Sequence, residues 1–319
     1  MHDSPPPKAP SRSPSPRAST LRQLAIVAMV AVLYAGVVEW LVGWRNLLEQ
    51  AGASGPAPVL LVLIGVAGSY VMRALRIRAA LAPAVRAPLN AIVRIFAVHN
   101  AANWLMPART GEVSLPLQLR RHFDVPLARG TGVLLWLRAQ DLHVLATLAG
   151  IGALGSGRTD LHWLGAAMLA GGLCLPAIGY LLAPRLARRI PRIAQLLSAT
   201  PRAPRAIALD LLLSWGAWSV KLLALGAALG MLLSVSPWMG LLGALGGDVA
   251  AVLPIHAPLG AGTYEAGVLF GLSALRPDFG DALGAAVQLH ALLLFAALAG
   301  GAYGLTLRKS PAAAGAQET

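Results

Sequence analysis

Charge is what this 319-residue sequence has least of: Asp, Glu, Lys and Arg together make up 12% of it, against 56% hydrophobic residues. A soluble domain carries about 25% charged residues, so an ordinary soluble fold is excluded. There is one cysteine, Cys174. It lies within an apolar run, which rules out an intramolecular disulfide and a cysteine-based metal cluster. No His-Glu-x-x-His zinc motif and no nucleotide-binding motif occurs, so neither a metal nor any other cofactor is expected. Acidic residues are scarce as well, 13 against 26 basic ones, for a net charge of +13. That balance does not point to nucleic acid, because the basic residues sit between apolar runs and form no basic-aromatic module.

What the sequence has is long apolar runs. A membrane-spanning helix needs about 20 predominantly apolar residues. Six stretches supply that, at about Leu24–Val42, Ala57–Leu75, Thr131–Leu154, Leu161–Ala183, Ile207–Leu233 and Ala282–Leu307. Residues 1–20 are rich in Pro, Ser and Arg and are expected to be disordered; residues 21–308 read as one membrane domain, and 309–319 as a short polar tail. A cleaved signal peptide does not fit the first run, which is long and lacks a small-residue cleavage site.

The arginines orient the chain. Lys8, Arg12, Arg17 and Arg22 precede the first span; Arg73, Arg76, Arg78, Arg86 and Arg94 follow the second; Arg185, Arg188, Arg189, Arg192, Arg202 and Arg205 follow the fourth; Arg308 and Lys309 end the last. The opposite loops carry only Arg45, Arg158 and Arg276. By the positive-inside rule both termini are cytoplasmic. The Pro184–Arg205 loop spaces Leu186, Ile190, Ile193 and Leu197 among arginines, as a surface helix drawn to anionic headgroups would.

Two segments cannot be single crossings. Ile95–Leu119 has basic residues on both flanks, and is broken by the polar cluster Asn103-x-x-x-Pro107-x-Arg109-x-Gly111-Glu112. Trp238–Leu275 is broken at Pro254 and again at Pro258-x-Gly260-x-Gly262-x-x-Glu265. Each is read as a re-entrant helical hairpin, although two short spans would also satisfy the second. The fold expected is therefore an all-α polytopic membrane protein, with about six full crossings and two broken hairpins, eight membrane segments in all. Irregular backbone at lipid depth is tolerated only where protein buries it or it lines a wet cavity. Paired Pro/Gly-interrupted segments entering from opposite faces mark transporter binding sites near the midplane.

The candidate site residues follow from these breaks. Arg109 offers a bidentate donor for phosphate or carboxylate; the bland alternative pairs it with Glu112 or Glu265. Arg138 and Asp141, three apart on one helix face, form a local ion pair or a wall of the same cavity. His143 reads as a packed or hydrogen-bonded histidine. Lys221 is expected to pair with Asp248 or Glu265, and Glu39 to reach the interface. Gly52-Ala-Ser54-Gly55 is similar to an intramembrane serine-protease motif but falls in a loop. Glu112, Glu265 and His256 form a conceivable acid/base set, with nothing in their spacing that requires it.

The first motif, followed about 150 residues later by Pro254 and the second, resembles the flippase-like transmembrane domain of lysylphosphatidylglycerol synthases and its stand-alone members. The likeness spans about residues 20–308. At the second break that family usually has glycine directly after the second proline, where Leu259 stands here. The resemblance implies a bacterial inner-membrane, multi-pass protein that moves a polar or anionic lipid between leaflets, with Asn103, Pro107, Arg109, Gly111, Glu112, Pro258, Gly260, Gly262 and Glu265 in the path. Its two-part members carry a separate soluble synthase. This sequence has only a polar tail after Lys309, so a separately encoded lipid-modifying enzyme is an expected partner. The alternatives are a non-catalytic partner of such an enzyme and an intramembrane enzyme acting on a lipid-linked substrate.

Overall fold

In the computed structural model, residues 16–82, 85–190, 203–253, 257–273 and 279–306 are described. Among them every regular element is helical. The helices are α1 (Pro16–Leu41), α2 (Trp44–Ser54), α3 (Ala57–Leu81), α4 (Leu89–Leu105), α5 (Ser114–Phe123), α6 (Leu127–Gly155), α7 (His162–Arg189), α8 (Pro204–Leu233), α9 (Pro237–Val252), α10 (Thr263–Leu272) and α11 (Phe279–Thr306). Short 3₁₀ turns at Pro107–Val113 and Pro258–Gly260 form the first and second breaks.

Among the described residues, three helices are long and apolar enough to cross a bilayer: α3, α8 and α11 from Gly280 onward. The pair α1 and α2, bent by 77° where they meet, raises this to four. The bend is set at Gly43, whose φ of 82° is open to glycine at little cost. Glu39 Oε2 accepts from the Trp44 backbone N at 2.8 Å and so satisfies one free donor of α2. Helix α6 has the length of a crossing but carries Arg138, Gln140, Asp141 and His143 in its middle. Helix α1 begins at Pro16, inside the stretch the sequence marked as disordered. Helix α7 runs on to Arg189, so the loop expected from Pro184 starts as helix; Pro191, Arg192, Ile193, Leu197 and Arg202 lie outside the described residues.

Small residues let these helices approach closely, which is how apolar helices associate when lipid is as apolar as they are. A Cβ on Gly65 of α3 would come within 2.3 Å of the Ala224 Cβ of α8. One on Gly240 of α9 would sit 2.0 Å from the Gly226 carbonyl of α8, and one on Gly246 of α9 2.2 Å from the Gly267 carbonyl of α10. The main core gathers Val62, Val66, Leu145, Leu225, Leu229, Val268 and Leu289 from α3, α6, α8, α10 and α11. A second core seats α4 and α5 through Ile77, Leu81, Ile92, Ile95, Leu115 and Leu119.

Both breaks have local causes. Met106 is extended (ψ 136°), as the residue before proline prefers, and Pro107 has no N–H to continue α4. The chain then turns back through the 3₁₀ segment, which lies tight on α4: a Cβ on Gly111 would come within 2.4 Å of the Ala102 carbonyl. Ala257 before Pro258 is likewise extended (ψ 155°). The chain returns from there as α10, whose ten residues rise about 15 Å, half the hydrocarbon thickness. Helices α9 and α10 pack against each other along the glycine contacts above, which makes this segment a hairpin with one short arm.

Candidate functional site

The two breaks meet. Arg109, on the first, donates from Nη1 to the Ala251 carbonyl at 2.9 Å. Ala251 lies in the last turn of α9, where carbonyls lack intrahelical partners and the helix dipole favours a cation. Arg109 holds this position with φ at 56°, a left-handed conformation that costs a non-glycine residue on the order of 1–2 kcal/mol. Strain of that kind persists only where surrounding contacts over-determine it. Here the Glu112 carboxylate, 2.7 Å from Arg109 Nε, supplies the second contact.

From Arg109 a ladder of buried charges runs through the molecule. Glu112 also faces Arg138 of α6 at 3.0 Å. Arg138 reaches Asp141 at 3.3 Å, and Asp141 is shared with Arg73 at 3.1 Å and Arg76 at 3.0 Å, both from α3. Trp218 of α8 donates its indole N–H to the same carboxylate at 3.1 Å. Arg76 continues to Asp210 of α8 at 3.3 Å, which also accepts from Trp136 at 2.7 Å and Gln140 at 3.2 Å. Arg76 and Asp141 are among the most enclosed polar side chains in the protein, 1% and 2% exposed. Five cations (Arg73, Arg76, Arg109, Arg138, Lys221) thus face four carboxylates (Glu112, Asp141, Asp210, Asp248) across this ladder and the cavity beside it, one positive charge in excess.

That cavity encloses about 100 Å³. Arg73, Arg109, Arg138 and Lys221 line it, with Asn100, Asn103, Ser69 and Tyr70 as polar neighbours and Trp104 and Trp218 as aromatic walls. Lys221 pairs with Asp248 at 2.7 Å, one of the two partners expected for it. Both Arg73 (4.4 Å) and Lys221 (5.4 Å) lie over the Trp218 ring. Asn100 donates to the Tyr70 hydroxyl. Asn103 contacts His99 Nε2 at 3.2 Å, while its Oδ1 is buried with no hydrogen-bond partner among the described residues.

Of the residues singled out from sequence, Asn103, Arg109, Arg138, Lys221 and Asp248 line this one cavity. Glu112 and Asp141 hold its arginines, and Gly111 seats the first break. Pro107 opens that break. Arg109 takes Glu112 of its two possible acidic partners, and Arg138 pairs with Asp141 as the local reading expected. Glu265 stands apart. Its Oε1 accepts from the Tyr34 hydroxyl of α1 at 2.5 Å and faces His290 Nδ1 of α11 at 2.6 Å. Glu112 and Glu265 therefore do not share a cavity, and Pro254 and His256 lie outside the described residues. Pro258, Gly260 and Gly262 shape the second break, Gly260 and Gly262 with φ of 76° and 77°. His143 is hydrogen-bonded on both sides, to the Gly172 carbonyl at 2.7 Å and the Trp215 indole at 3.3 Å. Ser54, of the protease-like tetrapeptide, bonds to the Gln50 carbonyl within its own helix.

The structure corrects the reading of Arg73 and Arg76. Taken as loop charges, they are instead inside α3 and paired with buried acids. Their i, i+3 spacing, which places both on one face, was the available sequence signal. Asp210, His290 and Tyr34 carried no such signal. Away from this centre Arg158 ties the α6–α7 turn to Ser273 at 2.7 Å. Its bond to Asp160 holds that exposed carboxyl below the usual carboxylate range.

Among the described residues no group of three or more His, Cys, Asp or Glu side chains is placed to hold a metal. No curated protein matches the sequence significantly. A family does: residues 23–301 match the lysylphosphatidylglycerol synthase TM region. A helical chain with two broken hairpins meeting at a cationic cavity, matched over most of its length, belongs to the lysylphosphatidylglycerol synthase transmembrane family, whose name ties it to a membrane lipid.

Proposed function

We propose that this protein moves a polar lipid with an anionic headgroup between leaflets, and that the headgroup enters the cavity where the two breaks meet. The observation that carries this reading is the lining: four cations and two tryptophans around about 100 Å³. Such a volume holds several waters, which a phosphate can displace. Arg109 and Arg138 are the planar, bidentate donors suited to it, and Lys221 and Arg73 are point and stacking charges beside it. The excess positive charge of the site is matched by one anionic group. Buried cations at this depth are costly and are retained where a pathway needs them.

In this reading the chain is a multi-pass protein of the bacterial inner membrane with both termini cytoplasmic, and residues 21–308 form its transport domain. The lipid would be supplied by a separately encoded modifying enzyme. The test is headgroup accessibility in proteoliposomes, wild type against Arg109→Ala, across a panel of labelled phosphatidylglycerol, aminoacyl-phosphatidylglycerol and neutral lipids. Wild type is expected to expose anionic lipids selectively, and Arg109→Ala to lose that activity while inserting normally. Equal transport by a correctly inserted Arg109→Ala protein would remove the assignment.

A further inference from the structure

Glu265 and His290 lie outside the cavity, and their geometry carries information of its own. His290 is 1% exposed and Glu265 3%. The Nε2 of His290 faces the Leu259 carbonyl at 2.8 Å and Nδ1 faces Glu265 Oε1 at 2.6 Å. A carbonyl oxygen only accepts, so Nε2 carries hydrogen. Nδ1 and Oε1 are then held together by one further proton, on one atom or the other. Without it a lone pair would face a carboxylate at contact distance. The groups facing the pair are Tyr34 of α1, which donates to the same Oε1, the Tyr264 ring of α10 at 4.9 Å from the imidazole, and the Trp104 ring of α4 at 5.4 Å. Asp248 of α9 is neutralised by Lys221. Aromatic faces on both sides suit a cationic ring. Glu265 Oε2 is buried and has no hydrogen-bond partner among the described residues.

We infer that the Glu265–His290 pair is a proton-binding site, and that its proton is coupled to the lipid movement proposed above. The coupling has a structural route. The hydrogen on Nε2 fastens α11 to Leu259, the left-handed residue of the second break (φ 62°), and the shared proton fastens α11 to Glu265 in the first turn of α10. Trp104 touches the imidazole on one side and lines the headgroup cavity on the other. With the shared proton present, the second break is clamped on α11. Release of that proton to water leaves imidazole against carboxylate, which separates them and frees the break beside the cavity. The step is a transfer of one proton between the pair and water, with no other bond made or broken.

The proton site stands on geometry alone, whereas the coupling rests on the translocase reading, so the test has two arms. In the first, detergent-solubilised protein labelled with ¹⁵N-histidine is titrated by NMR. One histidine is expected to carry hydrogen on Nε2 and to share a proton at Nδ1, a signal absent in His290→Gln and altered at Nδ1 in Glu265→Gln. A His290 Nδ1 signal in folded wild type that Glu265→Gln leaves unchanged overturns the proton site. In the second, vesicles of phosphatidylcholine and phosphatidylglycerol carry fluorescent phosphatidylglycerol across a pH difference of one unit. One proton per lipid drives an asymmetry between leaflets of up to tenfold, abolished by a protonophore. His290→Gln, with no titrating imidazole, should move the lipid only to equal leaflets or not at all. Wild type that equilibrates the leaflets equally with and without the gradient overturns the coupling and leaves the translocase standing. No movement of labelled lipid in any arm refutes the translocase and the coupling together, and the proton site is then judged by the first arm.

Discussion

Replacing Asp141 by Asn tests whether the charge ladder holds the protein together. Asp141 is 2% exposed and meets Arg73, Arg76 and Arg138 at 3.1, 3.0 and 3.3 Å. At such contacts the charge centres lie about 4 Å apart, and each pair is worth about 4 kcal/mol at an effective dielectric of 20. The gross loss does not appear in full, because Asn keeps an acceptor for the Trp218 indole and Arg76 and Arg138 keep Asp210 and Glu112. Removing one partner of a buried pair costs about 3–5 kcal/mol, chiefly through the charge left uncompensated. For a chain of this size that corresponds to a fall of about 4–8 °C in the unfolding midpoint. Thermal unfolding in detergent, followed by tryptophan fluorescence, measures it. Arg78→Gln, on the same helix but exposed, serves as control and should shift the midpoint little. The double variant Asp141→Asn/Arg73→Gln should recover part of the loss, since it also removes an orphaned cation. A midpoint for Asp141→Asn within about 2 °C of wild type would refute the view that buried charge compensation, rather than apolar packing alone, fixes α3 against α6.

Three further outcomes follow from local geometry. Leu259 holds φ 62°, so Leu259→Gly should be more stable than Leu259→Ala by about 1 kcal/mol, a comparison that cancels the lost side chain; equal stabilities would show that the turn is not strained. Gly111→Ala would bring a Cβ to 2.4 Å from the Ala102 carbonyl, forcing a backbone shift that costs about 1–3 kcal/mol and displacing Arg109; unchanged transport and midpoint would refute the close contact. Lys221→Met alone should destabilise by about 3–5 kcal/mol through the stranded Asp248 carboxylate, while Lys221→Met/Asp248→Leu returns most of it; additive losses in the two-residue cycle would show that the pair is not coupled.

The apolar runs determined the class of this protein, because stretches of about 20 apolar residues cross lipid as helices that satisfy their own backbone hydrogen bonds. The spans at about Ala57–Leu75, Ile207–Leu233 and Ala282–Leu307 correspond to α3, α8 and α11 for that reason. The breaks were legible too: Pro107 ends α4 by its own chemistry, and Pro258 opens the 3₁₀ turn of the second break. That Lys221 would pair with an acid was also legible, while the choice of Asp248 over Glu265 came from packing. What a linear reading misplaced was Arg73 and Arg76, because an arginine near the end of a span looks the same whether it faces cytoplasm or an acid 65 residues away. Asp210, Tyr34 and His290 were equally silent. Their roles come from contacts across 134, 231 and 25 residues of sequence, and only packing decides such distances. The sequence by itself determined that the chain is apolar and helical, and that two polar, proline-containing breaks interrupt its apolar segments. The tertiary structure alone decided that the hairpin tips meet, that four cations close on one cavity, and that Glu265 turns away from it to face His290.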